Sequence, residues 1–114
     1  MKVKLGIIGL SEGNGHPYSW SAIINGYNPR HMKDCGFPVI SEYLGNQTFP
    51  NDSIPNAEVT HVWTQDYDLS KHIAKSSNIG IVVRKATDMI GSVDAILLAR
   101  DDSENHLTHA LPFL

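Results

Sequence analysis

The feature that most constrains this chain is an apolar strand pattern that runs directly into a glycine-rich turn. Residues 2–10 read K-V-K-L-G-I-I-G-L, and their β-branched and apolar side chains predict a strand buried on both faces. Residues 19–25, after the glycines, have apolar side chains at i, i+3 and i+4, which predicts a helix that Ser19 or Ser21 caps and Gly26 ends. A buried strand followed by a helix is typical of an α/β protein.

Strand and helix patterns alternate along most of the remaining chain. We predict strands over residues 58–64, 79–83 and 93–99, and helices over 69–76, around 88–90 and from 104 to the end. Asp68 and Thr87 are the expected caps of the first two of these helices. The last helix should carry an apolar face, although Pro112 fits poorly inside it; the face consists of Leu107, Ala110, Leu111 and Leu114.

This alternation restricts the topology. Only a crossover helix can return the chain to the start of the next parallel strand, so the order predicts a Rossmann-like, doubly wound parallel sheet with strand order 3-2-1-4. Ligands of such sheets bind at the carboxyl ends of the strands, where the winding reverses. We therefore expect a crevice between strands one and four of a single domain, residues 1–114.

Residues 27–56 interrupt the alternation with four prolines and several turn-like pairs. A loop of this length inside a compact domain usually has structure or a function of its own. We predict an ordered insertion with one or two helical turns in each of the segments H-M-K-D-C and V-I-S-E-Y-L. It should pack four side chains on the domain: Phe37, Tyr43, Leu44 and Phe49.

Charge and cysteine content exclude several classes of protein. The formal net charge is −3 and the basic residues are scattered, which argues against nucleic acid as a partner. Cys35 is the single cysteine and cannot form an intrachain disulfide, and the first apolar segment is too short for a signal peptide or a membrane span. These observations predict a cytoplasmic protein without membrane contact.

The glycine turn fits a phosphate-binding loop in part. Gly9 occupies the place of the glycine that makes the tight turn out of strand one. Ser11 stands where a second glycine would let the backbone approach a pyrophosphate, and Glu12 adds a negative charge. Two interpretations stay open, a plain turn or a binding crevice, and the position at the carboxyl end of a strand favours the crevice.

The order of four segments resembles the N-terminal half of the glucose-fructose oxidoreductase and inositol dehydrogenase (Gfo/Idh/MocA) family. The segments are K-L-G-I-I-G-L, N-G-H-P-Y-S-W-S-A-I-I-N-G-Y, T-H-V-W-T-Q-D and V-D-A-I-L-L-A-R-D-D-S-E-N-H. The resemblance implies a Rossmann domain that binds NAD or NADP, joined to a C-terminal substrate domain. It also implies oxidation or reduction of a hydroxyl on a sugar or cyclitol-like substrate.

The resemblance implies cofactor-binding residues in three loops, and no metal ligand. Near the pyrophosphate these are Gly9, Leu10, Ser11, Glu12 and Gly13; near the adenosine ribose, Thr64, Gln65 and Asp66; near the nicotinamide ribose, Ala99, Arg100, Asp101 and His106. Thr64 stands where an acid often binds the ribose diol. Asp66 could replace that acid or repel a 2′-phosphate, so the choice between NAD and NADP stays open.

Family members continue with a fifth strand and a Glu-Lys-Pro motif whose lysine takes part in catalysis, whereas this sequence stops at Leu114. We therefore expect a truncated domain that binds cofactor weakly or not at all and that contains no catalytic residue. Strand four would then have an unpaired apolar edge, which predicts a homo-oligomer through residues 93–99 or through the C-terminal helix. The alternative function is a non-catalytic association module that no longer binds dinucleotide.

Some other residues allow a functional and a plain interpretation. His31 and Cys35 could share a helical face as half of a zinc site, but no second pair has matching spacing. His16 is a candidate contact on the nicotinamide side. His106 and His109 are expected on one polar helix face, and the charged run Arg100 to Glu104 is either a solvated cap or a ligand contact. Trp20 and Trp63 are expected in the core or along the crevice.

Overall fold

The computed structural model describes residues 2–114 and has one four-stranded sheet. Its strands are β1 (Val3–Ile8), β2 (Ala57–Trp63), β3 (Ile81–Val82) and β4 (Ala95–Leu98). All pairs are parallel and the order is β3-β2-β1-β4. The predicted α/β class and the 3-2-1-4 order of a Rossmann-like sheet are therefore confirmed.

Within residues 2–114, five α-helices connect and flank these strands. They are α1 (His16–Asn25), α2 (Pro29–Met32), α3 (Pro38–Gly45), α4 (Tyr67–Ser76) and α5 (His106–Ala110). Short 3-10 turns cover Ala86–Met89, Ser103–Asn105 and Leu111–Phe113. Among residues 2–114, no helix combines the length and the apolar character that a membrane crossing requires.

Two predicted helix starts are wrong, because residues other than the predicted ones cap these helices. Helix α1 begins at His16 rather than at residue 19, since Pro17 suits the first turn and the Asn14 side chain accepts a hydrogen bond from the His16 N–H (3.0 Å). Ser19 and Ser21 therefore lie inside the helix. Helix α4 is capped by Asp66, not Asp68.

The second half of the chain is less regular than its pattern predicts. Strand β3 has two residues instead of five, and Thr87 lies inside a 3-10 turn instead of capping a helix. The C-terminal helix is limited to α5, because Pro112 cannot donate a backbone hydrogen bond and the chain continues as a 3-10 turn. Much of the apolar face predicted for it is exposed, namely Leu107, Leu111 and Leu114.

The insertion, residues 27–56, contains α2 and α3. Leu44 is fully buried, and Phe37 and Phe49 pack partly buried against the core. Tyr43 is 49% exposed, so its predicted packing is wrong. His31 and Cys35 do not share a helical face, because α2 ends at Met32 and Cys35 lies beyond it.

The core lies between the sheet and helices α1 and α4. It is centred on the fully buried side chains of Ile7, Val59, Val62 and Ile73. A Cβ added at Gly9 would overlap the Pro17 ring, so the turn after β1 lets α1 pack directly against the strand end. Strand β1 and helix α1 are thereby held in one fixed arrangement.

The side chain of Asn25 connects α1 to the sheet. Its Nδ2 donates to the carbonyl oxygens of Val59 (2.9 Å), Ser77 (3.1 Å) and Asn78 (3.2 Å), and its Oδ1 accepts from the Val59 N–H (2.8 Å). One amide thus satisfies backbone groups of β2 and of the segment that follows α4.

We expect Asn25→Ala to lower the free energy of unfolding by about 2–4 kcal/mol, because it leaves several part-buried backbone groups without partners. Chemical denaturation measures this change. The control is Asn46→Ala, at an exposed position whose side chain makes no hydrogen bond within residues 2–114. Equal stability of the two variants would contradict the structural role of Asn25.

Candidate functional site

The carboxyl ends of the four strands meet at one side of the sheet, which we call the carboxyl edge; it comprises residues 9–15, 64–66, 83–85 and 99–102. Gly9 N–H donates to the Trp63 carbonyl (3.1 Å), and Ala99 N–H donates to the Ile8 carbonyl (2.8 Å). The glycine turn therefore lies between the ends of β2 and β4, where the winding reverses. This is the place at which open α/β sheets bind ligands.

Ser11 and Asp101 join the glycine turn to the loop after β4. The Ser11 hydroxyl donates to Asp101 Oδ1 (2.7 Å) and accepts from the Asp101 N–H (3.0 Å). Ser11 is 8% exposed whereas Asp101 is an exposed residue, so the pair lies between the buried turn and the solvent. The predicted neighbourhood of the turn and the β4 end is observed, and a carboxylate lies directly against the turn.

Gln65 and Arg100 complete a network across three loops. The Gln65 side chain accepts from the Leu10 N–H (3.2 Å) and donates to the Leu10 carbonyl (2.7 Å). Arg100 Nη1 donates to Gln65 Oε1 (2.9 Å) and to the Gly9 carbonyl (3.1 Å). The loops after β1, β2 and β4 are thus held together by side chains of this chain.

Arg100 also forms an ion pair with Asp102. Its Nε and Nη2 donate to the two carboxylate oxygens at 2.9 and 2.7 Å, and Asn105 Nδ2 donates to Oδ2 at 3.0 Å. The hydrogen bonds from Arg100 and then from Asn105 hold the pKa of Asp102 well below its ordinary value of 3.8. His106 Nε2 donates to the Arg100 carbonyl (2.6 Å) and so supports the same loop.

The residues predicted beside the adenosine ribose are engaged locally. Thr64 is 4% exposed, and its hydroxyl donates to the Asp66 carbonyl (2.6 Å) while it also contacts Ser70 Oγ (2.8 Å). The Asp66 carboxylate accepts from the N–H groups of Asp68 (3.0 Å) and Leu69 (3.3 Å) at the start of α4. Both side chains therefore stabilise the loop and the helix start.

One cavity of about 510 Å³ opens at the start of α1; we call it the Trp20 cavity. The His16 and Trp20 rings stack there with centroids 4.5 Å apart and planes at 14°. Gly13, with φ of 76° and open space beside it, and Asp101 also contribute to the lining. Phe37 and residues of α3 form the opposite wall, so the insertion completes this cavity.

A smaller cavity of about 140 Å³ lies at the end of β2; we call it the Arg84 cavity. It is lined by Trp63, Thr64, Gln65, Tyr67 and Arg84. The guanidinium carbon of Arg84 is 3.9 Å from the centroid of the Tyr67 ring, and Trp63 Nε1 donates to the Arg84 carbonyl (3.2 Å). An arginine and two aromatic rings thus surround this cavity.

Six of the cofactor-binding residues predicted from the sequence lie together in the structure: Gly9, Leu10, Ser11, Gln65, Arg100 and Asp101. The side chains of Leu10 and Ala99 face the core (9% and 1% exposed), and Glu12 is exposed. Among residues 2–114, no group of three or more His, Cys, Asp and Glu side chains is placed to hold a metal ion.

Sequence reasoning missed Asn14, Tyr67 and Arg84 as residues of the site. Arg84 follows the third strand directly after Val83, and this position at the carboxyl edge was the signal that could have identified it. His109 packs against Trp63 instead of lying on a polar face, with ring centroids 5.6 Å apart. Burial, and to a lesser extent Arg100, lowers the pKa of His109.

The Asp102 ion pair predicts a specific dependence of stability on pH. Because the pKa of Asp102 is depressed in the folded state, its contribution is complete above the unfolded value near 3.8 and is lost as the pH falls through the folded value. Asp102→Asn should therefore unfold more easily than the parent chain at pH 7, and the difference should shrink below about pH 4. Denaturant titrations at several pH values measure both quantities.

The control for this experiment is Asp68→Asn, which removes an exposed pair with Lys71. Exposed pairs contribute less than about 1 kcal/mol, so this variant should follow the parent chain at every pH. A difference for Asp102→Asn that stays constant from pH 7 to pH 2 would contradict the assignment.

We compared the chain with models of known protein families, with curated proteins and with solved structures. None of the three comparisons finds a match. The geometry of the carboxyl edge is therefore the basis on which we infer the function.

Proposed function

We propose that this chain is the dinucleotide-binding domain of an NAD(P)-dependent oxidoreductase that acts on a sugar or cyclitol-like substrate. The observation that carries this proposal is the position of two cavities on either side of the glycine turn at the carboxyl edge. The resemblance to the Gfo/Idh/MocA family supports the same conclusion.

The shape of the ligand explains why two cavities matter. A dinucleotide consists of two base-ribose halves joined by a pyrophosphate, and in Rossmann-like sheets the adenosine half lies at the end of the second strand. The Arg84 cavity occupies that position, next to Trp63 and Thr64. The Trp20 cavity lies on the Asp101 side and offers a stacked aromatic surface to the nicotinamide half.

The centre of the site is less favourable to a pyrophosphate than a standard glycine loop. Asp101 places a negative charge against the turn, and the Asn14 side chain occupies the His16 N–H at the start of α1. The Arg100 guanidinium, which donates to the Gly9 carbonyl across the turn, is already paired with Asp102 and adds little net positive charge. We therefore expect weak binding, and we assign cofactor binding but no proton transfer to this chain.

The same contacts favour a second candidate function. The Ser11–Asp101 pair and the Asn14 cap satisfy the groups that would otherwise bind phosphate oxygens. A turn closed in this way is compatible with a non-catalytic association module in the cytoplasm, because such a module binds no nucleotide. Cofactor titration separates the two functions.

We expect calorimetric titration with NADH and NADPH to give saturable binding at or below about 1 mM of at least one cofactor. Asp101→Asn should tighten this binding by about threefold to tenfold, because it removes a negative charge near the pyrophosphate and keeps the oxygen that accepts from Ser11. The control is Asp34→Asn, at an exposed position that makes no side-chain hydrogen bond within residues 2–114. Its affinity should equal that of the parent chain.

Two results would contradict the proposal in different ways. The absence of a response to either cofactor at millimolar concentration supports the association module instead. Equal affinities of the parent chain and Asp101→Asn would show that the bound cofactor does not pass the glycine turn.

We also propose that two copies associate through the outer edge of β4. No strand of residues 2–114 pairs with this edge, and apolar side chains such as Ile96 and Phe113 line a cavity of about 510 Å³ beside it. Unpaired apolar edges favour strand addition. Sedimentation at micromolar concentration should show a dimer, and a monomer would contradict this association.

A further inference from the structure

We propose that Arg84 makes the cofactor site selective for a 2′-phosphate, so that the chain binds NADP(H) in preference to NAD(H). This inference rests on the proposed dinucleotide-binding function. It resolves the choice between the two cofactors through a residue that lies after β3, outside the glycine turn.

The guanidinium of Arg84 is held in place but is not neutralised. It lies 3.9 Å from the centroid of the Tyr67 ring, and Tyr67 is the first residue of α4. The hydrogen bond from Trp63 Nε1 to the Arg84 carbonyl fixes the backbone beneath it. Within residues 2–114, Arg84 has no carboxylate partner and its side chain donates no hydrogen bond.

An arginine stacked in this way is suited to a phosphate. Stacking on an aromatic face leaves the N–H groups at the edge of the guanidinium available, and these match two phosphate oxygens at once. The residue also lines the cavity at the end of β2, where an adenosine ribose lies in a Rossmann-like sheet. A phosphate on the 2′-oxygen would therefore meet Arg84.

The acid nearest to the end of β2 is Asp66, and one of its two carboxylate oxygens, Oδ1, is engaged by the start of α4. NAD-binding sheets use an acid after the second strand to accept hydrogen bonds from the ribose hydroxyls. Thr64 is buried here with its hydroxyl engaged by the Asp66 carbonyl and by Ser70. The Asp66 carboxylate accepts instead from two N–H groups of α4.

The remaining question is whether Asp66 would repel a 2′-phosphate. Its charge interacts favourably with the N-terminal end of α4, where the helix dipole is positive, and this reduces its effect on other anions. Two cationic groups lie over the Tyr67 ring, but the Lys71 ammonium, 5.3 Å from its centroid, is paired with Asp68 (3.3 Å), whereas Arg84 has no carboxylate partner among residues 2–114. Arg84 is therefore the cation available to an anion at this cavity, and the cap position of Asp66 limits its repulsion.

Binding of NADPH and NADH to variants of the full chain tests the inference. Arg84→Ala should weaken NADPH binding by about tenfold to a hundredfold, the size of one charge-assisted hydrogen-bond pair, and change NADH binding by less than about twofold. Arg84→Lys keeps the positive charge but lacks the planar guanidinium. Its NADPH affinity should therefore lie between those of the parent chain and Arg84→Ala. Circular dichroism confirms that each variant is folded.

Two matched controls accompany these variants. Lys85→Ala removes the same charge from the adjacent residue, which does not line the Arg84 cavity, and should leave both affinities within about twofold of the parent chain. Asp66→Asn keeps the helix cap and removes the negative charge. It should preserve or increase the preference for NADPH.

Three results would overturn the inference while leaving dinucleotide binding intact. The first is equal affinity of the parent chain for NADPH and NADH, and the second is an equal loss of both affinities in Arg84→Ala. The third is a loss of NADH binding in Asp66→Asn, together with an NADPH affinity that Arg84→Ala leaves unchanged. If neither cofactor binds to the parent chain, the proposed function fails and this inference fails with it.

Discussion

The pairing of β1 with strands on both of its sides is the constraint on which the rest of the structure depends. Ile7 and Ile8 are fully buried, and the strand is bonded to β2 on one side and β4 on the other. Because all three strands run in the same direction, their carboxyl ends lie next to one another. The turn at Gly9 therefore faces loops from both neighbours, and Arg84 lies one strand further away, after β3, which pairs with β2.

The chemistry at this edge depends on how the loops are held together. In a standard glycine loop, backbone N–H groups are free to donate to phosphate oxygens. Here the side chains of Ser11, Asn14, Gln65 and Arg100 already bond the backbone around the turn. These bonds hold the loops together, and a bound pyrophosphate would gain less from the turn itself. Under the proposed function, recognition of the ligand would therefore depend mainly on the cavities on either side.

The aromatic and cationic groups of those cavities have different origins. Trp20 and His16 come from one helix and stack because they are four residues apart. Tyr67 and Arg84 belong to separate elements and meet because β3 pairs with β2 in parallel. The first arrangement follows from helical geometry once the start of α1 is known. The second requires the register of the sheet.

The alternation of patterns was sufficient to predict the sheet, its order and the meeting of the glycine turn with the β4 loop. Helix starts were predicted less well, because several polar residues near each start are suitable caps. Which of them caps the helix depends on the direction in which the preceding backbone enters it. Asp66 caps α4 instead of Asp68 for this reason. The packing of Tyr43 and of the C-terminal leucines was wrong because helical spacing identifies a face without identifying what covers it.

The amino-acid sequence by itself determined the fold class and the side of the sheet on which the candidate site lies. Both follow from local periodicity and from the rule that crossover connections are right-handed. The tertiary structure alone decided that Ser11 bonds Asp101, that Asp66 serves its own helix, and that Arg84 lies over Tyr67. These contacts join residues far apart in the chain, and their distances are set by strand register and helix packing, which no single segment encodes.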